Sequence, residues 1–124
     1  MPRGKKNPTR VQPAAVVSPW TVRYSPRLLT EDLRTVGHAA FELAREAVEK
    51  KLQLAPDQYG APLGKPLHGL RKLETADLRI VYRVDEAPRE VLVLMIGNRR
   101  DIWAEFQAEI LDRDAALAAH TRKP

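Results

Sequence analysis

The spacing of apolar residues divides the first half of the chain into a strand and two helices. Trp20–Tyr24 alternates apolar and polar side chains, which is the pattern of a strand with one buried face. Apolar residues then recur every three or four positions through residues 25–36 and 38–52, which predicts two helices. Ser25 is a suitable N-cap for the first helix, and Gly37 is a suitable end. The pattern therefore predicts a strand followed by a helical hairpin.

The second half of the chain has the pattern of a β-sheet. Three short apolar runs, at about 67–74, 78–84 and 90–96, follow a loop rich in proline and glycine. The DEAPRE turn between the last two runs suits an antiparallel hairpin. The last run is apolar on both faces, which predicts a position in the interior of the sheet. From Asp101 onward, apolar residues at helical spacing predict a closing helix.

The order β-α-α-β-β-β-α predicts a small α+β fold, with the helical hairpin packed on one face of an antiparallel sheet. In the run LRIVYRV, Leu78, Ile80 and Tyr82 belong to the covered face, so Tyr82 is predicted to be a core residue. Arg79 and Arg83 belong to the other face. If that face is uncovered, the two arginines form a shallow cationic trough.

Length and composition limit the class of protein. The chain has 124 residues, which suits one domain with one hydrophobic core. It contains no cysteine, which excludes disulfides, thiolate metal sites and cysteine nucleophiles. No apolar run is long enough to span a membrane, and no cluster of carboxylates suggests a metal site. We therefore expect a cytoplasmic protein without a metal or another cofactor.

The net charge of +5 is unevenly distributed along the chain. Residues 1–18 carry four basic residues and no acidic one, which predicts a flexible basic arm or, alternatively, a solvated tail without a role. Residues 65–100 hold eight basic and five acidic residues, whereas residues 31–57 hold four and six. Such polarity favours a polyanionic partner on one side. The rest of the chain divides into a domain at 19–118 and a C-terminal tail at 119–124.

The segment 62–103, PLGKPLHGLRKLETADLRIVYRVDEAPREVLVLMIGNRRDIW, resembles the second half of the RelE/ParE superfamily of bacterial toxins. Those toxins show a PL-x-GL segment, a strand of the type RI-V/I-Y-x-V, and an apolar strand that ends in IGHRR-x-x-Y. The preceding helical hairpin agrees in order and length, so the resemblance covers about residues 19–110. It implies a toxin that a cognate antitoxin keeps silent.

The superfamily has two functional branches. RelE-type toxins are ribosome-dependent endoribonucleases that cut messenger RNA, whereas ParE-type toxins share the fold, lack the basic catalytic set and inhibit DNA gyrase. The ending IGNRRDIW resembles the RelE branch more than the ParE branch. The resemblance therefore implies a metal-independent endoribonuclease that acts on ribosome-bound messenger RNA. A ParE-like gyrase inhibitor and a catalytically degenerate RNA-binding relative are the alternatives.

The resemblance also implies roles for individual residues. RNA cleavage by the ribose 2′-hydroxyl builds negative charge on the phosphate, which fixed cations stabilise. By their positions in the motif, Arg79 and Arg99 would bind the scissile phosphate and Lys72 would act on the leaving oxygen. Some relatives carry a second lysine where this chain has Leu70, and many carry a tyrosine where it has Trp103. An indole can stack on a base but cannot transfer a proton.

Other basic and aromatic side chains near this set are candidates for contacts with RNA. His68 takes a position where many relatives carry lysine, and imidazole is suited to proton transfer near neutral pH. The alternative is a loop histidine beside a turn glycine. Neighbours at a strand end point in opposite directions, so only one of Arg99 and Arg100 would face the trough. By its position in the motif, the resemblance makes Arg99 the catalytic candidate. The predicted RNA-binding residues are Lys65, His68, Arg71, Arg83, Arg100 and Trp103.

Overall fold

The computed structural model describes residues 19–98 and 100–122, so the predicted arm at 1–18, Arg99 and the end of the tail lie outside the described residues. The described strands are Thr21–Tyr24 (β1), Ala61–Pro62 (β2), Arg71–Thr75 (β3), Leu78–Asp85 (β4) and Glu90–Gly97 (β5). The α-helices are Leu33–Val36 (α1), His38–Ala47 (α2), Ile102–Glu105 (α3) and Gln107–Arg122 (α4). π-Helical stretches, Leu28–Asp32 and Val48–Leu52, precede α1 and follow α2. Within the described residues, none of the helices combines the length and the apolar character of a membrane-spanning segment.

The predicted α+β class is confirmed, but the sheet is mixed rather than wholly antiparallel. Its strand order is β1-β5-β4-β3-β2. β1 runs parallel to β5, whereas the other three neighbouring pairs are antiparallel. The alternation of side chains predicts a strand but not its direction relative to the neighbouring strands. After β1 the helical hairpin crosses the sheet, and β1 is left beside β5. As predicted, β5 is an interior strand.

The helical hairpin packs on one face of the sheet and forms the first core. Tyr82 of β4 is fully buried there, as predicted. Its hydroxyl lies 2.8 Å from the backbone oxygen of Tyr59 and 3.0 Å from that of Pro56, so its burial leaves no polar group unsatisfied. The other residues of this core include Phe41, Ala44, Val48 and Leu52 of the hairpin and Ile80, Val91 and Val93 of the sheet.

The second face of the sheet is largely covered, and the expectation of an open face was wrong. A second core lies between this face, the C-terminal helix α4 and the loop that leads into β3. The sheet contributes Val81, Leu92 and Leu94, the loop contributes Leu67 and Leu70, and α4 contributes Ile110 and Leu117. The closing helix was predicted, but its spacing does not show which face of the sheet it covers.

A buried ion pair joins α4 to the first helical segment. Arg113 is fully buried and donates to both carboxylate oxygens of Asp32, at 2.9 and 3.1 Å, and to the carbonyl of Leu94 at 2.9 Å. Asp32 also accepts the backbone N–H of Ile96, in the part of β5 that extends past β1. Burial alone would lower the pKa of Arg113, but the hydrogen bond to Asp32 and the charges of Asp32 and Glu109 keep that pKa above its ordinary value.

Candidate active site

Charged side chains of β3 and β4 gather on the second face, near the start of β4. The register places Arg79 directly opposite Glu74 and Lys72 opposite Val81. Val81 is part of the second core, so the residues of β3 and β4 that share a face with Val81 lie on the second face of the sheet. Lys72, Glu74 and Arg79 therefore lie on the same face of two paired strands, and the backbone fixes their spacing.

Glu74 lies between the two cations. Its Oε2 is 3.9 Å from Nζ of Lys72 and 3.9 Å from Nε of Arg79. The side chain of Arg79 is only 17% exposed, and its buried Nε has no hydrogen-bond partner among the described residues. A buried donor without a partner costs free energy, and such a group in a native structure requires an explanation. The Nε atom is covered from solvent, so an anion reaches this N–H only after a neighbouring side chain moves.

Trp103 of α3 packs over Lys72. The Nζ of Lys72 lies 4.3 Å from the centroid of the indole ring, which is a cation–π contact. The ring is partly buried against the second core, so its position is fixed by packing. This contact orients the ammonium group and occupies one face of the ring. We refer to Lys72, Glu74, Arg79 and Trp103 together as the cradle.

Arg83 does not join the cradle, although it shares a strand face with Arg79. Its guanidinium donates two hydrogen bonds to the buried carboxylate of Asp114 on α4, at 2.8 and 2.6 Å. The hydrogen bonds that Arg83 donates to Asp114 raise the pKa of Arg83 above its ordinary value. The expected trough of Arg79 and Arg83 is therefore not formed, because Arg83 holds α4 against the sheet.

Arg71 lies on the opposite face of the sheet and contacts the loop before β2. It donates to the hydroxyl of Tyr82 at 3.3 Å and to the backbone oxygen of Tyr59 at 3.1 Å. The loop comes so close to β3 that a Cβ at Gly60 would collide with the backbone oxygen of Lys72, and Gly60 has a φ of +73°. Arg71 thus stabilises this loop, away from the cradle.

The remaining predicted RNA contacts lie on exposed loops. Lys65 and His68 are exposed in the loop between β2 and β3, which Leu67 and Leu70 anchor in the second core. Leu70 is buried, so this chain uses the position for packing. Arg100 is exposed in the turn before α3. These side chains belong to loops whose neighbouring residues Leu67, Leu70 and Ile102 pack in the second core.

The third catalytic candidate, Arg99, lies outside the described residues, and its role stays a prediction. The segments on both sides of it approach the cradle. Gly97 lies opposite Arg79 in the sheet register, and Trp103 contacts Lys72. The chain between β5 and α3 therefore begins and ends beside the two cations.

Glu74 was not recognised from the sequence as part of this site. The signal was available, because a residue two positions after Lys72 on a strand lies on the same face. An acidic residue on an exposed strand is usually interpreted as a solvated group. That Glu74 lies directly across from Arg79 depends on the register between β3 and β4, which the sequence does not show. Within the described residues, no group of three or more His, Asp or Glu side chains is placed to hold a metal ion.

Solved structures of RelE toxins have a similar fold. A chain of the RelBE2 toxin–antitoxin complex from Mycobacterium tuberculosis superposes with a TM-score of 0.56 at 26% identity, over 65% of this chain and 99% of that chain. A free Escherichia coli RelE toxin with two arginines replaced by alanine gives 0.59 at 19% identity, over 77% and 97%. The same variant bound to a peptide of the antitoxin RelB gives 0.52 at 22% identity, over 73% and 92%. Neither a family model nor a curated protein matches the sequence.

Proposed function

Because this chain has the fold of the RelE toxins, we propose that it is the toxin of a toxin–antitoxin system and cuts messenger RNA on the ribosome. The observation that supports the proposal most is the placement of Lys72 and Arg79 on one face, 3.9 Å from the same carboxylate oxygen. The proposal gives the protein a cognate antitoxin, the ribosome and translated messenger RNA as partners, in the cytoplasm.

In the proposed reaction, the 2′-hydroxyl of a ribose gives up its proton to solvent water as its oxygen attacks the adjacent phosphorus. The bond from phosphorus to the 5′-oxygen breaks, which leaves a 2′,3′-cyclic phosphate and, after protonation, a 5′-hydroxyl. Since the nucleophile belongs to the substrate, the protein has to stabilise charge and move protons. The planar guanidinium of Arg79 suits two parallel hydrogen bonds to the non-bridging oxygens, and Lys72 suits the leaving 5′-oxygen. Arg99 would supply a second contact with the phosphate.

The residues around the cradle take secondary roles in this proposal. Lys65 and Arg100 would contact phosphates of the message or of ribosomal RNA, since exposed cations contribute affinity independent of sequence, and the exposed imidazole of His68 would add a hydrogen bond. The basic residues of the segment 1–18 would add to this attraction. Trp103 would orient Lys72 rather than stack on a base, because Lys72 occupies a face of its ring.

Induced expression of the protein is expected to stop protein synthesis before DNA synthesis. Pulse labelling with methionine and thymidine measures the two rates in the same culture. Expression of Arg79→Ala to the same level is expected to leave both rates close to those of uninduced cells. If thymidine incorporation collapses first and gyrase-linked DNA breaks appear, the ribonuclease proposal is wrong and the protein acts like the ParE branch.

A further inference from the structure

We propose that Glu74 is an internal counter-ion that occupies the anion position of the cradle and that the RNA phosphate must displace. The inference rests on the proposed function and concerns the regulation of the same site. One oxygen of Glu74 is equidistant, at 3.9 Å, from the Lys72 ammonium and from Nε of Arg79. An oxygen of a phosphate bound between these two cations would occupy the same position.

Glu74 attracts both cations but forms a hydrogen bond with neither of them. A separation of 3.9 Å is too long for a hydrogen bond, and Nε of Arg79 makes none with any described residue. A phosphate oxygen that approaches this N–H to about 2.8 Å gains a charge-assisted hydrogen bond that Glu74 does not make. The phosphate therefore has more to gain at Arg79 than the carboxylate that it displaces.

Glu74 is also the member of the cradle that has the most freedom to move. Its side chain is 50% exposed, compared with 30% for Lys72 and 17% for Arg79. Trp103 holds the ammonium of Lys72, and Arg79 emerges from a strand that is paired on both sides. When an anion arrives, the carboxylate turns toward solvent while the two cations stay in place. In the free protein it lowers the affinity for RNA that lacks the additional contacts of the ribosome.

The variant Glu74→Gln tests this inference, because it keeps the shape of the side chain and removes its charge. The full-length protein is titrated into a fluorescent single-stranded RNA whose 2′-O-methyl riboses prevent cleavage, and binding is measured by anisotropy. The dissociation constant of Glu74→Gln is expected to be about three- to tenfold lower than that of the wild type. This change corresponds to the free energy of two weak ion pairs between one exposed carboxylate and two cations. The slope of affinity against salt is expected to become steeper by about one.

Glu86→Gln is the matched control. Glu86 is exposed in the turn between β4 and β5, at the other end of β4 from Arg79, so the variant changes the net charge equally without touching the cradle. At physiological salt its affinity is expected to stay within about twofold of the wild type. Equal tightening in both glutamine variants would mean that only net charge matters, and it would overturn the inference.

Two further outcomes separate this inference from the proposed function. If Glu74→Gln binds the RNA no more tightly than the wild type, the counter-ion role is wrong, and a simultaneous loss of cleavage would make Glu74 a catalytic base instead.

Arg79→Ala in the same titration tests the cradle itself. If Arg79→Ala weakens binding and Glu74→Gln does not strengthen it, only the counter-ion inference fails. If Arg79→Ala leaves binding unchanged, the cradle does not bind phosphate in the free protein and the counter-ion inference fails, whereas the proposed function fails only if cleavage on the ribosome is also unchanged.

Discussion

Arg79→Ala is expected to reduce the rate of cleavage of translated messenger RNA by about a hundredfold or more, which is the usual effect of removing one transition-state contact. The reason is the buried Nε of Arg79, which has no hydrogen-bond partner among the described residues and lies 3.9 Å from the Glu74 oxygen that the phosphate is proposed to displace. Primer extension on a translated message with purified ribosomes measures the rate under single-turnover conditions. Arg79→Lys keeps the positive charge but lacks the planar guanidinium that can form two parallel hydrogen bonds, so it is expected to recover only part of the rate.

The matched control for this substitution is Arg34→Ala. Arg34 is exposed on α1, which belongs to the helical hairpin on the far side of the sheet, so its loss is expected to change cleavage by less than about twofold. Arg83 is unsuitable as a control, because its bonds to Asp114 hold α4 in place. Thermal melts should show little change for Arg79→Ala. Equal small losses in both alanine variants, or a melt lowered by many degrees in Arg79→Ala, would contradict a role in phosphate binding.

Asp32→Ala is expected to lower the free energy of unfolding by about 2–4 kcal/mol, because the buried guanidinium of Arg113 loses two charge-assisted hydrogen bonds and keeps only its contacts with Glu31, Glu109 and the Leu94 carbonyl. Arg113 has no exposed side-chain surface, and Asp32 supplies two of its hydrogen bonds. The same change removes the acceptor for the backbone N–H of Ile96. Urea unfolding, followed by circular dichroism, measures the loss.

Two comparison variants make this stability test specific. Asp112 forms a 3.5 Å ion pair with Arg27, but its side chain is 78% exposed, so Asp112→Ala is expected to cost less than about 0.5 kcal/mol. Replacing both members of the buried pair, with Asp32→Ala and Arg113→Met together, is expected to restore much of the loss, because no buried guanidinium then lacks acceptors for its N–H groups. A loss below about 1 kcal/mol for Asp32→Ala would mean that this pair does not hold α4 in place.

The local elements of this fold could be predicted from the sequence, because each depends on the spacing of nearby residues. Gly37 ends the first helical segment at a φ of +92°, as expected for glycine in that position. Tyr82 was correctly assigned to the core from the alternation of β4 alone. The apolar character of β5 on both faces also implied that both faces of the sheet are covered. That signal should have outweighed the open face inferred from Arg79 and Arg83.

The interactions that distinguish the charged residues from one another could not be predicted, because they join distant parts of the chain. Arg79 and Arg83 have the same strand pattern, yet Arg83 is neutralised by Asp114, which lies 31 residues further along the chain. Asp32 and Arg113 are separated by 81 residues, and each looks like an ordinary surface charge on a helix. Helical and strand periodicity describes a segment and does not identify the segment that packs against it.

Cleavage of a message with a single 2′-deoxyribose at the cutting position tests the proposed chemistry most directly. The position is first mapped with wild-type protein, purified ribosomes and an all-ribose message, and the modified message is then translated under the same conditions. We expect the all-ribose message to be cut to a 5′ fragment that ends in a 2′,3′-cyclic phosphate, and the modified message to stay intact at that position. Cutting of the modified message at the same phosphate, or no cutting of either message, would contradict the proposal.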